Sequence, residues 1–432
     1  MSRVFRSFFR RSRRKSTLNS LDAEPEVLNI SQVVCKHYKK SIKEIDQDII
    51  QEIRVLGEPP YVVRGTVTVT DERNITEYLN VFVKLFDTEV SPNDKRDFDL
   101  FCYRKEFQVY VSILPALTKF QESTGIDQEQ FLFRTLIPRT YGATLSQKQQ
   151  DAYYPDNSGM LILEDLSLQG YEVEEAPAGL ELKSAVLAIR ALAKMHAIVL
   201  AMSIKNTIEF FNKVMVHLEY ESKYAYPDDL HTTILNLIKY DILDRPQLIN
   251  YKSTIHKAIR RACFDAFDES EENPWHTMCH GRFWSQSIMF KKSEMGGEPI
   301  SCKIINFKLA EYESCIEELI FFMYTSIQIN VLDDEFDQFL EIYFQTFKDV
   351  LKKHNLDLDD TIYNFAAFLA EVNKIGLKAL AEVLVHLREI VTKTENSEDH
   401  VDAKNEYFER LCFIFLHMIK QGWITVDQET TE

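Results

Sequence analysis

Hydrophobic and polar positions change rhythm at about Tyr61 and again at about Leu180. Before the first change, VLNISQVVCKHYKKSI reads as a helix. From Tyr61, YVVRGTVTVTD and EYLNVFVKLF alternate β-branched or aromatic residues with polar ones. DERN between them supplies a turn, so the pattern predicts an antiparallel strand pair. DFDLFCYRKEFQVYVSILPAL then places Phe101, Phe107, Tyr110, Val111 and Leu114 at near-helical spacing, which predicts a helix ended by Pro115. GMLILEDLSLQGY is a short apolar strand running into two acids and a glycine, the pattern of a connector.

Beyond Leu180 helical periodicity dominates, in LKSAVLAIRALAKMHAIVLAMSI, DDEFDQFLEIYFQTFKDVLKKH, LKALAEVLVHLREIV and NEYFERLCFIFLHMIK. The interruption is SIMFKKSEMGGEPISCKIINF, two strands flanking Gly296 and Gly297, which predicts a hairpin. No internal repeat is evident. The fold class expected is α+β: a basic segment over 1–30, a small β-rich lobe over 31–163, a hinge over 164–172, and a larger helical lobe over 173–432 containing a hairpin at 279–308.

Composition supports a sizeable core, with 45% hydrophobic and 12% aromatic residues in 432. Apolar runs such as ELIFFMYTSI break well short of the ~18 residues a membrane span needs, so no transmembrane helix is expected. The seven cysteines are odd in number and lack CxxC spacing, which argues against a disulfide framework or a zinc site and for a reducing compartment, the cytoplasm. The net charge is −17, yet Arg3, Arg6, Arg10, Arg11, Arg13, Arg14 and Lys15 supply +7 before the first acid, so the rest of the chain carries −24. An acidic body argues against a nucleic-acid partner. On a helical wheel Val4, Phe5, Phe8 and Phe9 share one side, with most arginines around the remainder. This start reads as a basic tail, a mitochondrial presequence or a helix making peripheral membrane contact through residues 1–15.

Several short motifs occur in a telling order: VFVKLF with Lys84, RKEFQVYVSILPAL with Glu106, LILEDLSLQGY with Glu164 and Asp165, LAKMHA with His196, HGRFW with His280 and Trp284, and IINF with Phe307. Together they make the chain resemble the insect ecdysteroid-kinase-like group, relatives of choline kinase and aminoglycoside phosphotransferases, over about residues 35–425. Members phosphorylate a hydroxyl on a small molecule. The resemblance implies a two-lobed protein-kinase-like fold, with Lys84 neutralising nucleotide phosphates and Glu106 holding that ammonium by an ion pair. It implies that Glu164 and Asp165 orient the connector beside an adenine site. His196 lies on an apolar helix and reads as a packed core histidine rather than a catalytic one.

Against the family pattern of His-x-Asp followed five residues later by Asn, those two places fall on Arg282 and Ser287, and the metal-binding Asp before Phe307 falls on Asn306. Arginine has no acceptor and cannot act as a general base. Asn306 and Ser287 offer a divalent cation only neutral oxygens. These substitutions shift the cleft by +3 relative to the family pattern. Gly57 with Pro59 and Pro60 replaces a small-residue phosphate loop, and Glu318 stands where an Asp commonly braces the catalytic loop. The expectation is therefore a degenerate member, a pseudokinase without a metal site, that binds a small-molecule ligand or a protein partner. ATP, if admitted, would bind without magnesium, with Lys84 and Arg282 neutralising it; otherwise Arg282 would fold back onto Glu106 or Glu311. Two alternatives stand beside it: an active small-molecule kinase using Glu311 or Asp165, and a membrane- or organelle-associated scaffold.

Overall fold

The computed structural model describes residues 29–37, 42–53, 61–86, 96–149, 152–174, 179–218, 228–243, 245–264, 273–295, 297–356, 358–359, 361–394 and 400–426. The basic segment up to residue 28, the Gly57–Pro60 loop and Gly296 lie outside the described residues.

The smaller lobe runs α1 (Ile30–His37), β1 (Ile42–Ile53), β2 (Tyr61–Asp71), β3 (Thr76–Leu85), α2 (Arg96–Gln108), α3 (Leu114–Ser123), β4 (Thr140–Thr144) and β5 (Met160–Glu164). Its strands form one antiparallel sheet in the order β1-β2-β3-β5-β4. The two-residue period of β3 decides which face holds the core. Leu79, Val81, Val83 and Leu85 are buried with Val63, Val67 and Val69 of β2, under Ile30, Val33 and Val34 of α1. Lys84 and Phe82 therefore project from the other face. The DERN turn forms as expected: the Asp71 carboxylate accepts from the Arg73 and Ile75 amides, and Asn74 adopts φ 60°.

Two local expectations are corrected. Of the first predicted helix the described residues are helical over Ile30–His37, and its last residue, Ile42, opens β1, a strand with no alternation to announce it. Register shifts fall between Ile42 and Glu44 and between Ile49 and Gln51 of its pairing with β2. With those shifts the isoleucines at 42, 45, 49 and 53 fall at helix-like intervals. Pro115 does not end its helix. A π-turn over Val109–Ile113 joins α2 to α3, and Pro115 sits in the first turn of α3, directly after that widened turn.

The larger lobe runs β6 (Tyr171–Glu172), α4 (Leu182–Lys205), α5 (Asp228–Leu243), α6 (Lys252–Phe264), β7 (His276–Cys279), β8 (Ile288–Lys292), β9 (Pro299–Ile304), β10 (Glu311–Ser314), α7 (Cys315–Ser326), α8 (Ile329–Lys353), α9 (Phe365–Ile375), α10 (Leu380–Thr394) and α11 (His400–Lys420). Shorter helical turns lie between some of these. β8 and β9 form the expected hairpin and pair with β6, while β7 pairs with β10. By length and composition α4 could cross a membrane, but 78% of its apolar window is buried within the protein, as befits the central helix of this lobe. Tyr110, Ile113, Leu117 and Phe120 pack into the same core, so the α2–α3 helix ties the lobes together. The architecture is the two-lobed α+β arrangement expected, and it places β3, α2, the loop after β7 and the turn after β9 around one cleft.

Candidate functional site

The upper wall of the cleft is built on a buried ion pair. Lys84 Nζ lies 2.6 Å from Glu106 Oε1 of α2, and Tyr103 of the same helix donates to the Lys84 carbonyl at 3.1 Å. Burial pushes the Lys84 ammonium below its ordinary pKa, with Glu106 opposing and the nearby Lys308 charge adding to the effect. The same Nζ donates to Asn306 Oδ1 at 2.8 Å. Asn306 has φ 68°, a left-handed conformation that asparagine tolerates better than most residues. The side-chain carbonyl at the metal-ligand position is therefore occupied by the lysine.

The lower wall is the loop after β7, and its underside is fixed by Glu318 of α7. Glu318 accepts from the backbone amides of His280 (2.9 Å) and Gly281 (2.7 Å), and bonds His196 Nε2 at 2.9 Å. Burial alone would raise its pKa, but the His196 hydrogen bond and the other donors outweigh it and hold the carboxyl below its usual value. His196 also bonds the Tyr343 hydroxyl at 2.7 Å, the packed core role expected of it. His196, Cys279 and Glu318 crowd together in a way that suggests metal ligation. However, the Glu318 oxygens are already bonded and burial holds the Cys279 thiol protonated, so the cluster serves the loop.

His280 donates from Nε2 to the Ile305 carbonyl at 2.8 Å and accepts from the Arg282 amide at Nδ1, 3.3 Å, which suits a neutral ring. Burial lowers its pKa accordingly. Gly281 takes φ 78°, and a Cβ there would come within 1.9 Å of the Leu309 carbonyl oxygen, so the loop touches the turn after β9 backbone to backbone. Phe307, between His280 and Tyr110, anchors that turn in the core.

Arg282, Ser287 and Asn306 are brought together on the cleft side, lining a cavity of 310 Å³ with Phe86, Tyr103, Trp284 and Lys308 among others. Ser287 is buried and its hydroxyl donates to the Arg282 carbonyl at 2.9 Å, turned into the loop rather than outward. Arg282 Nη2 lies 3.2 Å from Glu389 Oε2 of α10. The expected fold-back partners Glu106 and Glu311 are thus corrected: Glu106 is held by Lys84, and Glu311 sits on β10 outside the lining of this cavity. Asp165 accepts from the Ser167 amide and hydroxyl and lies 3.6 Å from Arg64 Nε, while Glu164 accepts from the Arg139 amide and Gln169. Both acids orient the connector.

These donors do not fit a divalent cation. The Asn306 oxygen is neutral and taken, the Ser287 hydroxyl is bonded to the Arg282 carbonyl, and Asp99 is the one carboxylate lining the cavity among the described residues. Neither Glu389 nor Lys308 was found by sequence reasoning. Lys308 follows Phe307 directly and could have been reached by counting one residue further, whereas nothing in LVHLREIV marks Glu389.

A lysine–glutamate pair above a His-Gly loop and an Asn-Phe turn, set between two lobes, belongs to a scaffold of the kinase-like class. The chain belongs to the ecdysteroid kinase-like family, whose profile matches residues 61–356. No curated protein matches it. Among solved structures it is similar to an ethanolamine kinase of Plasmodium vivax, at 11% identity and TM-score 0.42, covering 88% of this chain and 83% of that one. It is also similar to a spectinomycin phosphotransferase in complex with ADP and spectinomycin, at 12% identity and TM-score 0.37, covering 89% and 96%. A third, a GDP complex of aminoglycoside 2'-phosphotransferase-IIIa, gives 10% identity and TM-score 0.38, covering 88% and 96%.

Proposed function

We propose that this chain is a catalytically impaired member of its family, acting by binding a ligand or partner rather than by transferring phosphate. The observation that carries the reading is the pair of contacts Lys84–Asn306 and Arg282–Glu389. The position that should present an anionic oxygen to magnesium presents an amide already bonded to lysine. The position that should accept the substrate hydroxyl's proton holds a guanidinium that cannot accept one.

An active site rewired through Asp165 or Glu311 is not favoured. Asp165 is spent capping the turn that follows it, and Glu311 lies outside the cavity lining. The family description makes a steroid-like alcohol the first ligand to test. The test is ADP release from ATP with excess magnesium, in the presence of an ecdysteroid or choline, for the natural chain and Lys84→Ala. The expected result is the same background rate for both. Magnesium-dependent ADP release that Lys84→Ala abolishes would overturn the proposal.

A further inference from the structure

Lys308 lines the cavity and is half-buried, with no ion-pair partner among the described residues. Its neighbours in charge are all otherwise engaged. Lys84 is sealed against Glu106 and Asn306, and Arg282 is shared with Glu389 while still lining the cavity. Lys308 shares this lining with Cys102 of α2, whose thiol burial pushes up to about 12 with the Lys308 charge opposing. Phe86, Phe98, Tyr103 and Trp284 give the wall an aromatic part beside the polar Gln286, Ser287 and Asn306. Phe86 and Tyr103 meet edge to face at 5.3 Å, and Trp284 is held edge-on against His386 at 4.5 Å. A half-buried ammonium and a guanidinium beside fixed rings, with one carboxylate, Asp99, sharing the space, is a poor cradle for a metal-chelated polyphosphate. It is complementary to a small anion carried on an apolar body.

We infer that this cavity is a metal-independent binding site for a phosphate monoester of an apolar or aromatic alcohol, gripped by Lys308 and Arg282. The inference deepens the reading of a binding rather than transferring cleft and rests on it. A phosphate monoester carries close to two negative charges at neutral pH; Lys308 meets it as an ammonium with no ion-pair partner among the described residues, and Arg282 adds donors it shares with Glu389, so no metal is needed. The guanidinium fork suits two phosphate oxygens at once, and the ammonium supplies a point charge. The volume of 310 Å³ is at the small end of ligand sites, roughly 300–1,000 Å³. A single ring with its phosphate therefore suits it better than a nucleoside triphosphate.

The test is calorimetric titration of the full chain with phenyl phosphate, phenol and inorganic phosphate in EDTA, repeated with excess magnesium. Phenyl phosphate is expected to bind in EDTA and no better with magnesium, inorganic phosphate more weakly, and phenol not measurably. Lys308→Ala should weaken phenyl phosphate by about tenfold or more, the scale of a lost charge-assisted contact. Lys308→Arg should retain most of the affinity, and an unchanged melting curve confirms that each variant is folded. No binding of phenyl phosphate, binding that needs magnesium, or binding indifferent to Lys308→Ala would overturn the site. Inorganic phosphate binding as tightly as phenyl phosphate would overturn the apolar half of the inference. Failure here is separable from failure of the proposed function: magnesium-dependent ADP release overturns the loss of catalysis whether or not phenyl phosphate binds.

Discussion

The two sides of the loop after β7 are built from opposite materials. Beneath it, Glu318, His196 and Tyr343 form a closed set of hydrogen bonds in which nearly every polar atom is buried and bonded. Above it, Arg282 and Lys308 stand half-buried where the family's chemistry would place a base and a metal ligand's neighbour. The underside holds the loop's shape through hydrogen bonds to its backbone amides. On the proposed reading, the cleft side carries cations in place of acids while the underside keeps the loop folded.

The largest effect expected is from Glu318→Ala. It strands the His280 and Gly281 amides and His196 in a dry interior, and should cost on the order of 3–5 kcal/mol of stability, read by denaturant unfolding. A loss under about 1 kcal/mol would mean the loop supports itself. Gly281→Ala should follow, at roughly 1–3 kcal/mol from backbone strain, with the contact to the Leu309 oxygen added; a neutral result would show that the loop and the β9 turn separate freely.

A pH effect comes next, from acids behind the cleft. Burial, followed by the Glu313 charge, pushes Glu311 up to about 8, with Lys105 opposing; burial pushes Glu317 up to about 7 against the pull of Lys378. In the folded chain both carboxyls keep protons that the unfolded chain releases near 4.5. Stability should therefore fall as pH rises from about 4.5 to about 8, the sign that linkage gives when the native state binds more protons. Melting temperatures measured across that window should decline, and Glu311→Gln with Glu317→Gln should flatten the decline. An unchanged slope would place its origin elsewhere. Arg282→Gln should have the smallest effect on stability, about 1 kcal/mol or less, because its bond to Glu389 is partly exposed and screened. A larger loss would mean the cleft side helps hold the loop after all.

Much of this contrast was legible in the sequence. The alternation of β2 and β3 put Lys84 opposite the core face, and the ordered motifs located Glu106, Arg282, Ser287 and Asn306. What was hidden is what three-dimensional packing decides. β1 escaped because register shifts break its alternation, and Pro115 misled because a π-turn absorbs it. The partner of Arg282 escaped because Glu389 comes from a helix about a hundred residues further along the chain. Lys308 gained meaning only when its neighbours proved to be paired.

The claim on which the account turns is that the cleft no longer uses a metal, and calorimetric titration of ATP in EDTA and then in excess magnesium tests it most directly. With Asn306 bonded to Lys84 and Ser287 turned into its own loop, the predicted result is that magnesium gives no gain in affinity, and a slight loss where ATP binds, because the chelated nucleotide carries less charge for Lys308 and Arg282 to meet. Affinity that appears only when magnesium is added would contradict the account.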